Sequence, residues 1–397
     1  MRRVLVLNHF AAPPTEPGGT RHVELFSRLE QWDVVILAAN RSAMSTRRRS
    51  GDASGMYRTV STTPLSRRSV SRVVNWVSYS VTALLKGATL GRFDVVYGSS
   101  PHLLAPLTAW VLARVRRSAF VLEVRDLWPH ILAEMGGMSR TSVIYRALTR
   151  LEEFLYRRAD AIVVMARGVE QELSQRGFGQ KVVFIPNGAD PSDMAAPAPR
   201  TELRQRFGFT ARTGVYAGAH GIANGLDLLV DALREAAIDP SVLCVVLVGD
   251  GAEKPRLKDL AADLPAGSLR FNDPIPKTEI PALLGAADFG LHVLADVELF
   301  RYGVSPNKLF DYMAAGLASL TNTGGEVGEL VVQSDAGVSV EARGLADGLR
   351  RMAAASDEQL RQWGDNGRSY IESHQSRTAM ARRLRELLET VSSRRGR

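Results

Sequence analysis

The chain has 397 residues, 45% hydrophobic and 23% charged, a balance that excludes a disordered polypeptide and implies a sizeable buried core. Its one cysteine, Cys244, lies in the apolar run 241–248 and reads as a small core side chain, which excludes a disulfide framework and cysteine metal sites. The net charge of +8 is uneven: residues 1–190 hold 26 Lys and Arg against 15 Asp and Glu, and residues 191–397 hold 24 against 27. A basic first half suits an anionic membrane face, a phosphorylated acceptor or nucleic acid. No nucleic-acid motif accompanies the charge, so nucleic acid is set aside.

Met1-Arg2-Arg3 leads straight into an apolar run at 4–7 that is too short for a signal peptide, so a cytoplasmic protein is expected. Short apolar runs recur at 34–37, 95–97, 120–124 and 162–164, separated by amphipathic stretches. This repeated βα pattern predicts a parallel sheet covered by helices. A length prior of ~150 residues per domain favours two domains. The composition turns to Pro, Ala, Ser and Asp after Asp190, and a linker is expected at 191–210. Strand-like runs resume at 214–217, 243–248, 269–271, 289–293, 319–321 and 337–340. The expected fold is therefore α/β, with two Rossmann-like doubly wound domains at 1–190 and 211–360 facing across a cleft. Residues 361–397 read as helices, the last of which crosses back to the first domain.

No apolar run reaches the ~18 residues needed to span a bilayer. The segment 70–90 contains Val73, Val74, Trp76, Val77, Val81, Leu84 and Leu85, carries Arg72, and follows Arg67 and Arg68. Such a helix either lies in a membrane interface or packs on the sheet and shows its arginines to water.

Candidate chemistry follows the chain. Pro17-Gly18-Gly19-Thr20 comes after the first strand as a flexible loop opening a helix. Asp126, with Arg125 beside it, follows the strand at 120–124, so it emerges at the carboxyl end of a parallel strand, where open α/β sheets bind ligands. A carboxylate there can position or deprotonate a hydroxyl, or simply pair with Arg125. Gly218 and Gly221 flank His220 in the first turn of the second half, where glycine lets the backbone approach a phosphate and His220 is a candidate donor.

The strongest local signal is Ser305-Pro306-Asn307-Lys308-Leu309-Phe310-Asp311 through Gly316. Ser305 suits a helix cap and Pro306 the first helical position, which leaves free N–H groups and a positive dipole end for a diphosphate. Lys308 adds a cation to that turn, and Asp311 at helical spacing can accept from ribose hydroxyls. A capped amphipathic helix with incidental Lys and Asp is the structural alternative.

Ser305 to Gly316 resembles the donor-site helix of retaining family 4 glycosyltransferases of the GT-B fold, especially bacterial O-antigen, capsule and colanic-acid enzymes of the N-acetylfucosamine transferase type. Gly18-Gly19-Thr20-Arg21, the stretch from Glu123 to Pro129, Ile185-Pro186-Asn187-Gly188-Ala189-Asp190, Tyr216 to Gly221 and Val248-Gly249-Asp250-Gly251 with Lys254 come in the order such enzymes place them. The resemblance implies a nucleotide-sugar site in the second domain and an acceptor site in the first. Gly18, Gly19, His220, Lys254, Ser305, Asn307 and Lys308 would contact the donor diphosphate and sugar, Asp311 the ribose, and Arg21 and Arg125 the acceptor, with Asp126 catalytic.

The implied reaction is hexosyl transfer with retention, from a UDP-sugar to a saccharide or polyprenyl-linked saccharide in cell-surface polysaccharide synthesis. No cofactor is implied. There is no Asp-x-Asp element, so metal-independent chemistry is expected. The sequence departs from the family in having Gly303 where a first glutamate is usual, Asp311 in place of the second, and Ala219-His220 where many members have a basic pair. A GT-B sugar-nucleotide epimerase or hydrolase, or a non-catalytic nucleotide-binding protein, is the alternative reading.

Overall fold

The computed structural model describes all residues except 17, 18, 42–47, 50, 52–54, 65–68, 135, 136, 298–302, 304, 306, 396 and 397. The chain divides into two compact units, Met1–Pro186 with Thr378–Arg397, and Asn187–Arg377.

In the first unit the chain runs β1 (Arg2–Leu7), α1 (Arg21–Phe26), β2 (Trp32–Ala39), β3 (Tyr57–Val60), α2 (Ser69–Thr89), β4 (Val95–Ser99), α3 (Leu104–Arg116), β5 (Ala119–Val124), α4 (His130–Glu134), α5 (Val143–Arg158), β6 (Ala161–Val164), α6 (Arg167–Gln175) and β7 (Val182–Phe184). Among the described residues these strands make one parallel sheet in the order β3-β2-β1-β4-β5-β6-β7. The reversal of order at β1 and β4 is the doubly wound switch point, beside which such sheets bind ligands at the strands' carboxyl ends. Every residue of β4, β5 and β6 is buried, as central strands covered on both faces require. The edge strands β3 and β7 are only partly buried; β3, with sequence YRTV, carries little apolar signal, whereas β7 is a short apolar run of three residues.

The second unit comprises α7 (Arg200–Phe207), β8 (Arg212–Ala217), α8 (Leu226–Ala236), β9 (Leu243–Val248), α9 (Lys254–Leu260), β10 (Leu269–Asn272), α10 (Ile280–Ala286), β11 (Phe289–His292), α11 (Asn307–Ala314), β12 (Ala318–Thr321), α12 (Gly325–Gln333), β13 (Gly337–Ser339), α13 (Leu345–Ala354) and α14 (Asp357–His374). Its parallel sheet has the order β10-β9-β8-β11-β12-β13. The stretch 191–210, read from composition as a linker, instead holds a 3-10 turn at Pro191–Met194 and α7. Leu203 is buried, and Arg200 and Arg204 both pair with Asp288, which ties this stretch into the second unit.

The last helix, α15 (Arg377–Arg395), places Met380, Ala381, Leu384, Leu388 and Val391 in the same hydrophobic core as β1, β2 and β4. The i, i+4 and i+7 spacing of those side chains gives the helix an apolar stripe, and that stripe is what joins it to the first unit.

Candidate active site

The carboxyl ends of β8, β9, β11 and β12 gather the second unit's polar residues. The turns after β8 and β9 interlock: the Gly218 amide donates to Val248 O at 2.9 Å, the His220 amide to Asp250 O at 2.9 Å, and the Glu253 amide to His220 O at 3.0 Å. Gly249 adopts φ +153, and a Cβ there would stand 1.8 Å from Gly218 O, so only glycine permits this approach.

Lys308 lies in the first turn of α11, with its stem across Gly218, where a Cβ would come within 2.9 Å of Lys308 Cε. Its ammonium sits 5.0 Å from the Tyr216 ring centroid and makes no hydrogen bond or ion pair among the described residues. Burial pushes its pKa down to about 8, against the opposing pull of Asp311. A half-buried cation without a partnering carboxylate among the described residues is poised to receive an anion.

Two histidines lie nearby. His220 is wholly inaccessible, and neither ring nitrogen has a hydrogen-bond partner. Burial first, then the Lys254 and Lys308 charges, lower its pKa to about 4 against the pull of Asp250, so it is a neutral imidazole at physiological pH. Its unspent ring N–H is a neutral donor. His292 ends β11, lies 3.0 Å from the Thr321 hydroxyl, and is likewise held neutral by burial and by Lys308, with its pKa lowered to about 3.

Asp311 is nearly buried on α11. One carboxylate oxygen accepts from Lys277, and the other lies 3.7 Å from Arg377 Nη2 without a hydrogen bond. Asp311 is expected to accept from ribose hydroxyls; Lys277 takes one of its oxygens, and the other makes no hydrogen bond among the described residues. Neither Lys277 nor Arg377 was singled out from sequence, because each reaches Asp311 only through folding. Arg377 also donates to Gly188 O, and its amide to Asp190, so it links the Asn187-Gly188-Ala189-Asp190 stretch to α11.

Ser305 is not spent as sequence predicts: its hydroxyl accepts the Asn187 amide at 2.8 Å, and its carbonyl the Asn187 side-chain amide. This fixes the approach to α11, whose exposed first residue is Asn307. Gly303 adopts φ +128, a conformation that a glutamate would reach only with strain, which accounts for the glycine there. Lys254 is also engaged within the protein. Its ammonium gives its protons to Gly249 O, Asn272 O and Asp273 Oδ1, so in this state it secures the ends of β9 and β10 rather than offering a free cation.

In the first unit, Gly18 lies outside the described residues, and Gly19 O accepts from the Ala12 amide at 3.0 Å. Arg21, expected at the acceptor, is instead buried. It donates to Glu123 at 3.1 Å, to Pro186 O at 2.8 Å and to Ile185 O at 2.7 Å. Glu123 also receives Tyr97, Ser99 and His22. Burial works to raise the Glu123 pKa, but His22, Arg21 and Arg125 outweigh it and hold the carboxyl well below the usual range. Asp126 lies in the loop after β5 with an exposed side chain, and Arg125, half-buried beside it, donates its amide to the Ser100 hydroxyl. Dense protein around Asp126 pushes its pKa upward, against the opposing pull of Arg125.

Comparison with known proteins divides the chain in the same way. Residues 18–188 match the glycosyl transferase 4-like domain, and residues 211–355 match the glycosyl transferases group 1 domain. A probable glycosyltransferase, WbjE of Pseudomonas aeruginosa, is 28% identical over 260 residues, a stretch spanning 62% of each protein. Sucrose-phosphate synthase from Thermosynechococcus elongatus superposes with a TM-score of 0.78 at 17% identity, covering 99% of this chain and 100% of that one. HepE of Anabaena, in complex with UDP and glucose, gives 0.71 at 16% identity, covering 98% and 100%. WaaG, a glycosyltransferase involved in lipopolysaccharide biosynthesis, gives 0.64 at 17% identity, covering 98% of each chain. At these identities the solved structures establish the two-domain GT-B fold.

Proposed function

On the premise that this chain carries the paired domains of a GT-B glycosyltransferase, we propose that it is a retaining hexosyltransferase that moves a sugar from a UDP-sugar to a saccharide or polyprenyl-linked saccharide at the inner face of the cytoplasmic membrane. The observation that carries the reading is Lys308, a half-buried cation with no partnering carboxylate among the described residues, set beside the ring of His220, which has no hydrogen-bond partner among them, at the carboxyl edge of the sheet. That pairing fits a diphosphate. Lys308 supplies charge, the first turn of α11 its free N–H groups, and His220 a neutral donor once the turn that covers its ring shifts on binding. Uridine as the base is supported by HepE, a structural neighbour solved with UDP and glucose. A lipid-linked acceptor in cell-surface polysaccharide synthesis is supported by WaaG and its part in lipopolysaccharide biosynthesis.

In the proposed reaction the bond between the anomeric carbon and the β-phosphate oxygen breaks, and the acceptor oxygen bonds to the same face of that carbon. The acceptor proton passes to the leaving diphosphate. Lys308 and His220 hold the charge that develops on the diphosphate, which needs no bound metal. Asp126 accepts a hydrogen bond from the acceptor hydroxyl and aims it, with Arg125 close by. The unfilled Asp311 oxygen accepts from ribose.

The test is calorimetric binding of UDP, GDP and ADP in EDTA, with native protein and Lys308→Ala. Selective UDP binding that the substitution weakens at least tenfold is expected. Absence of binding by the native protein would leave a non-catalytic scaffold, and consumption of UDP-sugar at an equal rate without acceptor would replace transfer by hydrolysis or epimerisation.

A further inference from the structure

Thirteen large hydrophobic side chains are exposed among the described residues, and six of them, Val70, Val73, Val74, Val77, Val81 and Leu85, lie on α2. They recur at i, i+3, i+4, i+7, i+11 and i+15, which places them in one stripe along the helix. The opposite stripe, Asn75, Tyr79, Ala83 and Gly87, is buried. At Gly87 a Cβ would stand 2.7 Å from Leu112 of α3, so this second stripe is the packing face and the valines are what is left over. An exposed apolar stripe of this length on an otherwise ordinary surface marks an interaction site.

The chemistry of α2 selects the partner. It has no acidic residue, and its charged side chains, Arg72 and Lys86, are both exposed. The hydroxyls of Ser80 and Thr82 are satisfied by their own helix, donating to Trp76 O and Ser78 O at 2.8 Å each, so these polar residues need no water. The first unit as a whole holds 32 Lys and Arg against 16 Asp and Glu. An apolar stripe on a cationic body matches the headgroup boundary of an anionic bilayer, where aliphatic side chains enter the acyl region and Arg and Lys reach the phosphates.

The inner face of α2 joins this stripe to the ligand-binding edge of the sheet. The Tyr79 ring stacks on His9 at 4.3 Å and the Trp76 ring on His102 at 5.0 Å, and these histidines follow the carboxyl ends of β1 and β4. Trp76 also meets the Trp128 ring edge-on at 5.7 Å, two residues beyond Asp126. We propose that α2 is an interfacial helix that seats the first unit on an anionic lipid surface and holds the carboxyl edge carrying Asp126 at the level of the headgroups. The proposal rests on the reading of the acceptor as lipid-linked: α2 brings the protein to the surface in which such an acceptor is embedded.

The test is flotation with phosphatidylcholine vesicles and with vesicles containing phosphatidylglycerol, at low and high salt. Native protein, the Val73→Asp/Val77→Asp double variant and the Arg72→Glu/Lys86→Glu double variant are compared. These positions are exposed, so the folds should persist, which circular dichroism checks. Native protein is expected to float with the anionic vesicles. The valine variant should lose at least tenfold in bound fraction, and the charge-reversed variant should bind weakly and lose its salt dependence. UDP binding, measured on the same samples, should be unchanged by either pair, so loss of flotation and failure of the donor reading are separate results. Native protein that floats with neither vesicle overturns the proposal, as does a valine variant that floats like native. A native dimer that the valine variant converts to monomer overturns it in favour of a second copy of the chain.

Discussion

Arg21 Nε donates to Glu123 Oε2 across 3.1 Å, and the two side chains are 3% and 1% exposed. A charge pair so fully withdrawn from water is costly to break from one side, because the survivor keeps its desolvation without its partner. Arg21→Ala should therefore destabilise the first unit by roughly 3–5 kcal/mol, read as a lowered urea midpoint with UDP binding intact. Because the Glu123 pKa is depressed on folding, its contribution is present above the ordinary carboxylate range and is lost as pH falls through it toward the folded value. An acid titration of Glu123→Gln should be flatter there than that of the native protein.

Lys308 gives stability a slope of the same sign in a higher pH window. Its folded pKa of about 8 lies below the ordinary lysine value, so the folded state binds the proton less readily than the unfolded one. The unliganded protein should gain stability as pH rises from about 8 toward the ordinary lysine pKa of ~10.4. UDP affinity should fall over that interval, because the neutral amine no longer meets the diphosphate. Lys308→Met should remove both trends, raising the unliganded melting temperature at neutral pH while weakening UDP at least tenfold. A native affinity flat from pH 7 to 9.5 would exclude Lys308 as the diphosphate cation.

His220→Phe separates binding from folding at a second position. Both ring nitrogens are unpartnered, so the substitution deletes no internal hydrogen bond and should change stability by less than about 1.5 kcal/mol if the ring fits. Affinity for UDP should nevertheless drop severalfold. Equal UDP affinity in variant and native protein would make His220 a packing residue.

Asp311→Asn tests the ribose contact. The variant should bind UDP about tenfold more weakly and bind inorganic diphosphate as native protein does, whereas loss of both would mean that Asp311 acts by holding Lys277 and Arg377 in place. Arg377→Lys, which keeps a charge but not the guanidinium's bonds to Gly188 and Asp193, should lower the melting temperature of the second unit.

Much of the fold was legible because central strands such as β5 and β9 are buried on both faces and so read as unbroken apolar runs. β7 is apolar but only three residues long, and β3 and α7 escaped notice for the converse reason. They lie at edges or on the surface, where partial burial leaves no strong pattern. At the site, the helix from Asn307, its lysine and the glycine turn around His220 were legible because local backbone requirements mark them. The uses of Arg21 and Lys254 were not, because an Arg or Lys near a motif reads the same whether it faces a ligand or a carbonyl from a distant strand.

Sequence alone determined the alternation of strand and helix, the two sheets, and the position of α11 with its lysine and aspartate, since these depend on periodicity and on residues close together in the chain. Tertiary structure decided which charges are spent and which are available. Lys277 reaches Asp311 from 34 residues away and Arg21 reaches Glu123 from 102. Among the described residues Lys308 makes no hydrogen bond or ion pair, whereas Lys254 is fully engaged, because the fold sets Lys308 beside glycine and an aromatic ring instead of an acid. Long-range pairing and burial set that difference, and neither is a local property of the chain.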